Sequence, residues 1–278
     1  MIRPGNSWRR AGRFSGSQTF LKAREPYCVA AAARFLYHLD KAWMFQDEQK
    51  QVKALLIYSK GSLFPVFGSR PGIPMPCFME RFLKKKALHS VQGLRREAEV
   101  LENSLARLGA EPVERIEYDL MALDAPPDPA GFRAGPEKLV LRRAETRDMD
   151  ALFRLQAAYE QEEVLPKGAA FNPAACRRLL ERTAAREYLL IAELGGRILG
   201  KINTNARSFS RYQIGGVYIL PEYRGLGIAS RLISVFTQSI LAAGMGVSLF
   251  VKKRNRAASS VYRRIGFAVL DDFRISYY

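Results

Sequence analysis

The stretch from Leu123 to Pro136 constrains this chain most, because four of its 14 prolines fall there together with Gly131 and Gly135. Proline fixes φ and removes a main-chain donor, so neither helix nor strand runs through such a segment. At 278 residues the chain is also at the size where one core gives way to two. The expected organisation is a basic flexible tail over 1–24, an N-terminal mixed α/β domain over 25–122, a linker over 123–137 and a second domain over 138–278.

Charge narrows the partners. Lys and Arg number 44 against 27 Asp and Glu, a net +17, and both halves are basic. Phosphates and carboxylates are therefore attracted, whether on a nucleic acid or on a small polyanionic cofactor. The tail carries Arg3, Arg9, Arg10, Arg13, Lys22 and Arg24 with no acid, and Gly5, Gly12 and Gly16 argue against a stable helix. It reads as solvated chain, so nucleic acid is not the favoured partner. Cys28, Cys77 and Cys176 are odd in number and far apart, and with only His38 and His89 they make no metal-ligand spacing. Reduced thiols in a cytoplasmic protein are expected. No run approaches the roughly 18 apolar residues needed to span a bilayer, so no membrane partner is expected.

In the first half, a helix is expected from Pro26 to about Leu39. Val52–Tyr58 and Ser62–Phe67 form a hairpin, with Pro65 pointing to an edge or bulge. A helix over Met79–Leu88 ends in Lys84-Lys85-Lys86, an amphipathic helix carries Leu94, Val100, Leu101, Leu105 and Leu108, and a strand covers Ile116–Met121. The second half reads β-α-α-β-β-β-α-β-α-β. Its strand at Leu139–Arg143 is followed by a helix from Asp148, a loop crowded by Glu160, Glu162 and Glu163, and a helix over Pro173–Thr183. Strands at Tyr188–Glu193 and Arg197–Asn203 flank the Gly195-Gly196 turn. Then come a strand at Gln213–Leu220, a helix over about 227–243, a strand at Val247–Val251, a helix over about 257–265 and a strand at Phe267–Tyr277. The fold class is α/β, a mixed α+β sheet with helices on both faces.

The chemistry concentrates between Val217 and Ala229, where a strand ends at Pro221 and a glycine-rich turn opens a helix. Glycines let main-chain N–H groups converge, and a helix N-terminus adds partial positive charge, so a pyrophosphate suits the place. The turn lacks the Gly-Lys-Ser/Thr of a nucleotide-hydrolysing loop and the third glycine of a dinucleotide fingerprint.

Arg224-Gly225-Leu226-Gly227-Ile228-Ala229 resembles the Arg/Gln-x-x-Gly-x-Gly/Ala signature of the GCN5-related N-acetyltransferase (GNAT) superfamily. A second block, Asn255, Ala258, Tyr262 and Gly266-Phe267, follows at the spacing that family uses. The similarity covers about residues 139–278, and the whole chain is similar to bacterial two-part members whose N-terminal half is of uncertain function, here a candidate degenerate GNAT-like fold. The resemblance implies acetyl-CoA as co-substrate, no metal, and acetyl transfer to an unidentified amine. Amides of Leu226, Gly227, Ile228 and Ala229 would hold the pyrophosphate, with charge added by Arg224 beside Gly225, and the strand Val217, Tyr218, Ile219 would pair with the pantetheine arm. Asn255 and Ala258 would contact the cofactor or hold its turn, and Lys252, Lys253, Arg254 and Arg256 would reach the 3′-phosphate or simply face water. Tyr262 would protonate the departing thiolate, because a phenol stays protonated at neutral pH.

Glu160, Glu162 and Glu163 lie where the family shapes its acceptor pocket, and exposed loop charge is the plainer reading. The strand from Gln213 to Ile219 carries no carboxylate or His, unlike members with a glutamate base there, and Gln213 suits polar contact since an amide does not titrate. Two other functions stay open. One is a CoA-binding regulatory protein that has lost catalysis, and the other is a nucleic-acid or ribosome-associated protein using the tail and Lys84–Lys86.

Overall fold

The structure is a computed structural model that describes residues 7–11, 15–39, 41–68, 79–83, 87–127, 135–166 and 168–278. It divides into two compact units, Met1–Leu120 with Leu270–Tyr278, and Met121–Val269.

In chain order the first unit holds β1 (Ser7–Arg10), α1 (Ser15–Ala23), α2 (Glu25–Tyr37), β2 (Lys41–Gln46), β3 (Val52–Ser59), β4 (Ser62–Phe67), α3 (Met79–Leu83), β5 (Ser90–Leu94), α4 (Arg95–Ala106) and most of β6 (Glu114–Leu123). The described parts of the expected tail are ordered: β1 pairs antiparallel with β2, and α1 is helical despite Gly16. Leu21 and Ala11 are buried, and that burial outweighs the weak helix propensity of glycine. Arg3, Arg13, Cys77, Lys84–Lys86 and much of the expected linker lie outside the described residues.

The β3–β4 hairpin forms as expected around Lys60 and Gly61, both at positive φ. Pro65 does not mark an edge, because β4 also pairs in parallel with β5 through Ser62–Ser90 and Leu63–Val91. It is tolerated because it lies beyond the last of those pairs, where a Cβ on Gly93 would meet the Pro65 ring at 2.9 Å. The C-terminal strand, β12 (Ala268–Tyr277), pairs antiparallel with β5 from Phe273 to Tyr277. Arg274 anchors it to Glu102 at 3.1 Å and to Glu117 at 2.7 Å.

The second unit continues with β7 (Val140–Arg143), α5 (Met149–Tyr159), a π-helical turn over Glu160–Val164, α6 (Pro173–Arg186), β8 (Leu189–Leu194), β9 (Arg197–Arg207), β10 (Arg211–Ile219), α7 (Ile228–Ala242), β11 (Gly246–Lys252) and α8 (Arg256–Ile265). The element order from β7 to β12 is the one read from the sequence, and β1 to β6 repeats it element for element. The expected loop at Glu160–Glu163 is instead a continuation of α5 in π geometry.

Strands of the second unit run in the order β11-β10-β9-β8-β7. One face carries Leu232, Ile233 and Phe236 of α7 and Tyr262 and Ile265 of α8 against Ile214, Val247 and Leu249. The other carries Leu152 and Leu155 of α5 and Leu180 of α6 against Leu189, Ile191, Ile198 and Tyr218. Apolar cover on both faces explains why β9 is buried from Ile198 through Thr204 rather than alternating.

Candidate active site

The site begins where the sheet opens. Strands β10 and β11 pair in parallel at Arg211–Gly246, Tyr212–Val247 and Gln213–Ser248, and the pairing then stops. β10 runs on to Ile219 and β11 to Lys252, so their facing main-chain groups beyond that point line a slot. Gln213 sits at its apex, buried, with Oε1 lacking a partner among the described residues. The parting is matched by irregularity on the other edge of β10. Its register with β9 steps between Gly215–Asn203 and Tyr218–Lys201, so Gly216 and Val217 oppose the single residue Ile202. This is a β-bulge, and its Gly216 has φ +59.

Past Ile219 the chain makes a single 3-10 turn at Pro221–Tyr223 and enters the glycine turn. Gly225 and Gly227 have φ of 81 and 82, the left-handed region that glycine enters without strain. Gly227 is the N-cap of α7 and brings no side chain to cap it. The first i→i−4 bond of the helix is Arg231 N–H to the Gly227 carbonyl, so the amides of Gly227, Ile228 and Ala229 precede it. No Cβ contact lies within 4 Å at Gly225, and Leu226 is exposed. These residues form an open cradle of N–H donors at the positive end of a 15-residue helix.

The glutamates expected near an acceptor pocket instead tie the π-helical turn to both sides of the slot. Glu162 accepts both guanidinium N–H groups of Arg224 at 2.8 Å and the Tyr218 hydroxyl at 3.0 Å. Its carboxyl is held below the usual range, chiefly by the Arg224 bond. Arg224 also donates to the Ile219 carbonyl at 3.0 Å, so it is bound to protein rather than facing the cradle. Glu163 accepts from Asn255 Nδ2 at 3.2 Å and pairs with Lys252 at 3.6 Å. Glu160 accepts from Gln156 at 2.9 Å.

Asn255 is the N-cap of α8, its Oδ1 accepting the Ala258 amide at 3.1 Å. That bond commits the Ala258 amide to the helix, the usual work of an asparagine at an N-cap. Lys252 is buried, whereas Lys253, Arg254 and Arg256 are exposed. Tyr262 is buried, edge-on to Phe267 at 5.6 Å, and its phenol is pushed up by burial first and by the charges at Tyr159 and Glu163 second. Val217 and Ile219 pack on the α7/α8 side, and Tyr218 on the α5/α6 side.

Sequence reasoning missed Lys201. It is fully buried on β9, donating to Gly216 O at 3.0 Å and to Asn203 Oδ1 at 3.3 Å. The available signal was a lysine inside the apolar run Ile198-Leu199-Gly200-Lys201-Ile202, which by itself does not say which group it meets. Among the described residues no group of three or more His, Cys, Asp or Glu could hold a metal ion, and no helix is long and apolar enough to cross a membrane.

Residues 149–267 match the family model described as the acetyltransferase (GNAT) family. An acetyltransferase of Sodalis glossinidius is 31% identical over 88 residues, which make up 31% of this chain and 60% of that protein. The chain therefore spans less than two thirds of that relative's length. Among solved structures, a Drosophila protein has a TM-score of 0.69 at 12% identity and 99% coverage of both chains. A GCN5-related N-acetyltransferase from Sphaerobacter thermophilus has a TM-score of 0.60 at 19% identity, covering 98% of this chain and 95% of that one. At these identities the structural likeness speaks to fold.

Proposed function

We propose, from the match of residues 149–267 to the acetyltransferase (GNAT) family model, that the chain transfers an acetyl group from acetyl-CoA to a primary amine of a small molecule, peptide or protein. The observation that carries this is the parting of β10 from β11 after Gln213–Ser248, beside the uncapped, glycine-opened N-terminus of α7. A slot with free main-chain groups suits an amide-bearing pantetheine arm, and the cradle at Leu226, Gly227, Ile228 and Ala229 suits a pyrophosphate. Acetyl-CoA supplies the activated acyl thioester.

The residues divide the remaining work. Main-chain groups of Val217, Tyr218 and Ile219 align the arm and bring the thioester to the bulge, so that the amine attacks directly at short range. Tyr262, held protonated by its burial, gives its proton to the leaving sulfur, and its phenolate regains the proton that the attacking amine nitrogen gives up. Gln213, with its unpartnered Oε1, accepts an N–H of the acceptor. Glu162 and Glu163 hold the π-helical turn across the slot, and among those three glutamates Glu160 is the one without an ion pair to the slot's flanks. Exposed Lys253, Arg254 and Arg256 are placed to meet the 3′-phosphate.

A CoA-binding protein without turnover is the second reading, favoured by the absence of a carboxylate or histidine on β10. The two separate on thiol release from acetyl-CoA with a panel of primary amines. Turnover that falls at least tenfold in Tyr262→Phe, with acetyl-CoA affinity kept, supports catalysis. Tight acetyl-CoA binding with no thiol release from any amine supports the second reading.

A further inference from the structure

Lys201 has a burial that its fold alone does not require. Its side chain is fully removed from water, yet both of its hydrogen-bond acceptors, Gly216 O and Asn203 Oδ1, are neutral. A buried lysine without a bonded carboxylate is costly, and apolar residues fill the neighbouring positions of β9. The contact that it makes is at the bulge. A Cβ on Gly216 would fall 2.8 Å from Nζ and 2.1 Å from Asn203 Oδ1, so the strand is glycine there and the lysine head lies directly against its backbone.

The peptide joining Gly216 to Val217 is trans, as there are no cis bonds in the described chain. In a trans peptide the C=O and the following N–H point in opposite directions. The Gly216 carbonyl is drawn to Lys201, whose head lies toward the Tyr159 ring of α5, so the Val217 N–H points away from that head, on a stretch of β10 that has no β11 pairing partner beyond Gln213. The slot opens along that unpaired stretch.

We infer that Lys201 is a positioning residue of the acyl-transfer site, which by holding the Gly216 carbonyl toward its own buried head turns the Val217 N–H to the thioester carbonyl and polarises it. The inference rests on the acetyl-CoA reading above. A donor fixed before the reaction stabilises charge on that oxygen without reorganising.

The hydrogen-bond capacity of the lysine fits this in either protonation state. A neutral amine has two N–H groups for its two acceptors, and the third N–H of the ammonium has the Tyr159 ring, 5.0 Å from Nζ. Burial lowers the lysine to about 7, opposed by Glu160 of the π-helical turn and Cys176 of α6. Burial, first, raises Cys176 to about 12, so that neighbour is an uncharged thiol at neutral pH. The ammonium donates the stronger bond to Gly216 O, and polarisation is therefore greatest below the Lys201 titration and weaker above it.

The test uses acetyl-CoA labelled with 13C at the carbonyl and the full chain, with calorimetric affinity for CoA as the check on folding. Expected is a downfield carbonyl resonance in the wild-type complex that moves upfield as pH rises through about 7. In Lys201→Met the resonance returns toward its free position at every pH, while CoA affinity stays within about twofold. A bound resonance identical in Lys201→Met and wild type overturns the inference and leaves acetyl-CoA binding standing. Should that variant not fold, Lys201→Gln takes its place in the same comparison, and a bound resonance identical to that of the wild type overturns the inference equally. Failure of the wild type to bind acetyl-CoA removes the functional reading, and the inference with it.

Discussion

Replacing Gly216 by alanine strains both the backbone and the packing of the bulge, and the structure lets the two costs be separated. A non-glycine residue at φ +59 loses about 1–2 kcal/mol. Its Cβ would also stand 2.1 Å from Asn203 Oδ1 and 2.8 Å from Lys201 Nζ, so these side chains must shift and give up their bond or the one to Gly216 O. A buried polar group left unpaired costs a further 1–3 kcal/mol or so, for a total of about 2–5 kcal/mol. Gly225→Ala is the matched control, because φ is +81 and nothing lies within 4 Å of its Cβ, leaving only the backbone cost. Both of the chain's tryptophans, Trp8 and Trp43, lie in the first unit, so fluorescence would miss the change. Hydrogen exchange over the peptides of β9 and β10 reads it directly, at about tenfold in opening for each 1.4 kcal/mol. If Gly216→Ala accelerates exchange there no more than Gly225→Ala does, the close approach of Lys201 and Asn203 is not what makes this position glycine.

Other expectations follow from the same contacts. Glu162→Gln removes the charge opposite Arg224 and one of its two acceptor oxygens, and since both side chains are about 40% exposed it costs under about 1 kcal/mol of stability; acetyl-CoA affinity should rise a few-fold by calorimetry, and a fall would show that the pair shapes the cradle. Glu97, buried in the first unit beside Arg24, has its carboxyl raised by burial from 4.5 to about 7. The folded form then holds a proton that the unfolded form has lost, so this group's contribution is complete below about 4.5 and disappears as pH rises through about 7. Urea titrations followed by Trp8 and Trp43 fluorescence should show first-unit stability falling across that window in wild type and less so in Glu97→Gln. Arg274→Met leaves the buried Glu102 with less compensation and should release β12 by about 3–5 kcal/mol, read as faster exchange in the C-terminal peptide; unchanged exchange would place the anchor elsewhere.

The second half was legible in the sequence because its punctuation is local. Gly195-Gly196 makes a two-residue hairpin turn at positive φ, and the glycine turn at Gly225 and Gly227 opens a helix at the expected place. The first half was read less well, since β2 and β5 carry little alternation. Lys41-Ala-Trp-Met-Phe-Gln46 buries residues on both faces, and Ser90-Val-Gln-Gly-Leu94 contains a glycine that only the packing of Pro65 explains. The glutamate run at 160–164 resembles a solvated loop by composition, and its π-helical form depends on tertiary bonds to Arg224, Tyr218 and Asn255. Arg224 was expected to face phosphate, and its pairing with a residue 62 positions away has no signature in local pattern. Lys201 is the clearest case. A lysine in an apolar strand reads the same whether it reaches solvent or a bulge, and only the step in the β9–β10 register brings it to Gly216.

The central claim is that the glycine-opened end of α7 and the slot beside β10 hold acetyl-CoA. Calorimetric titration of the wild type and of Gly227→Glu with acetyl-CoA tests it most directly, because it requires no knowledge of the acceptor. Micromolar binding that is lost when a carboxylate side chain fills the cradle is the predicted result. Equal affinity in the two proteins would contradict the assigned site, and no binding by the wild type at millimolar ligand would contradict the function.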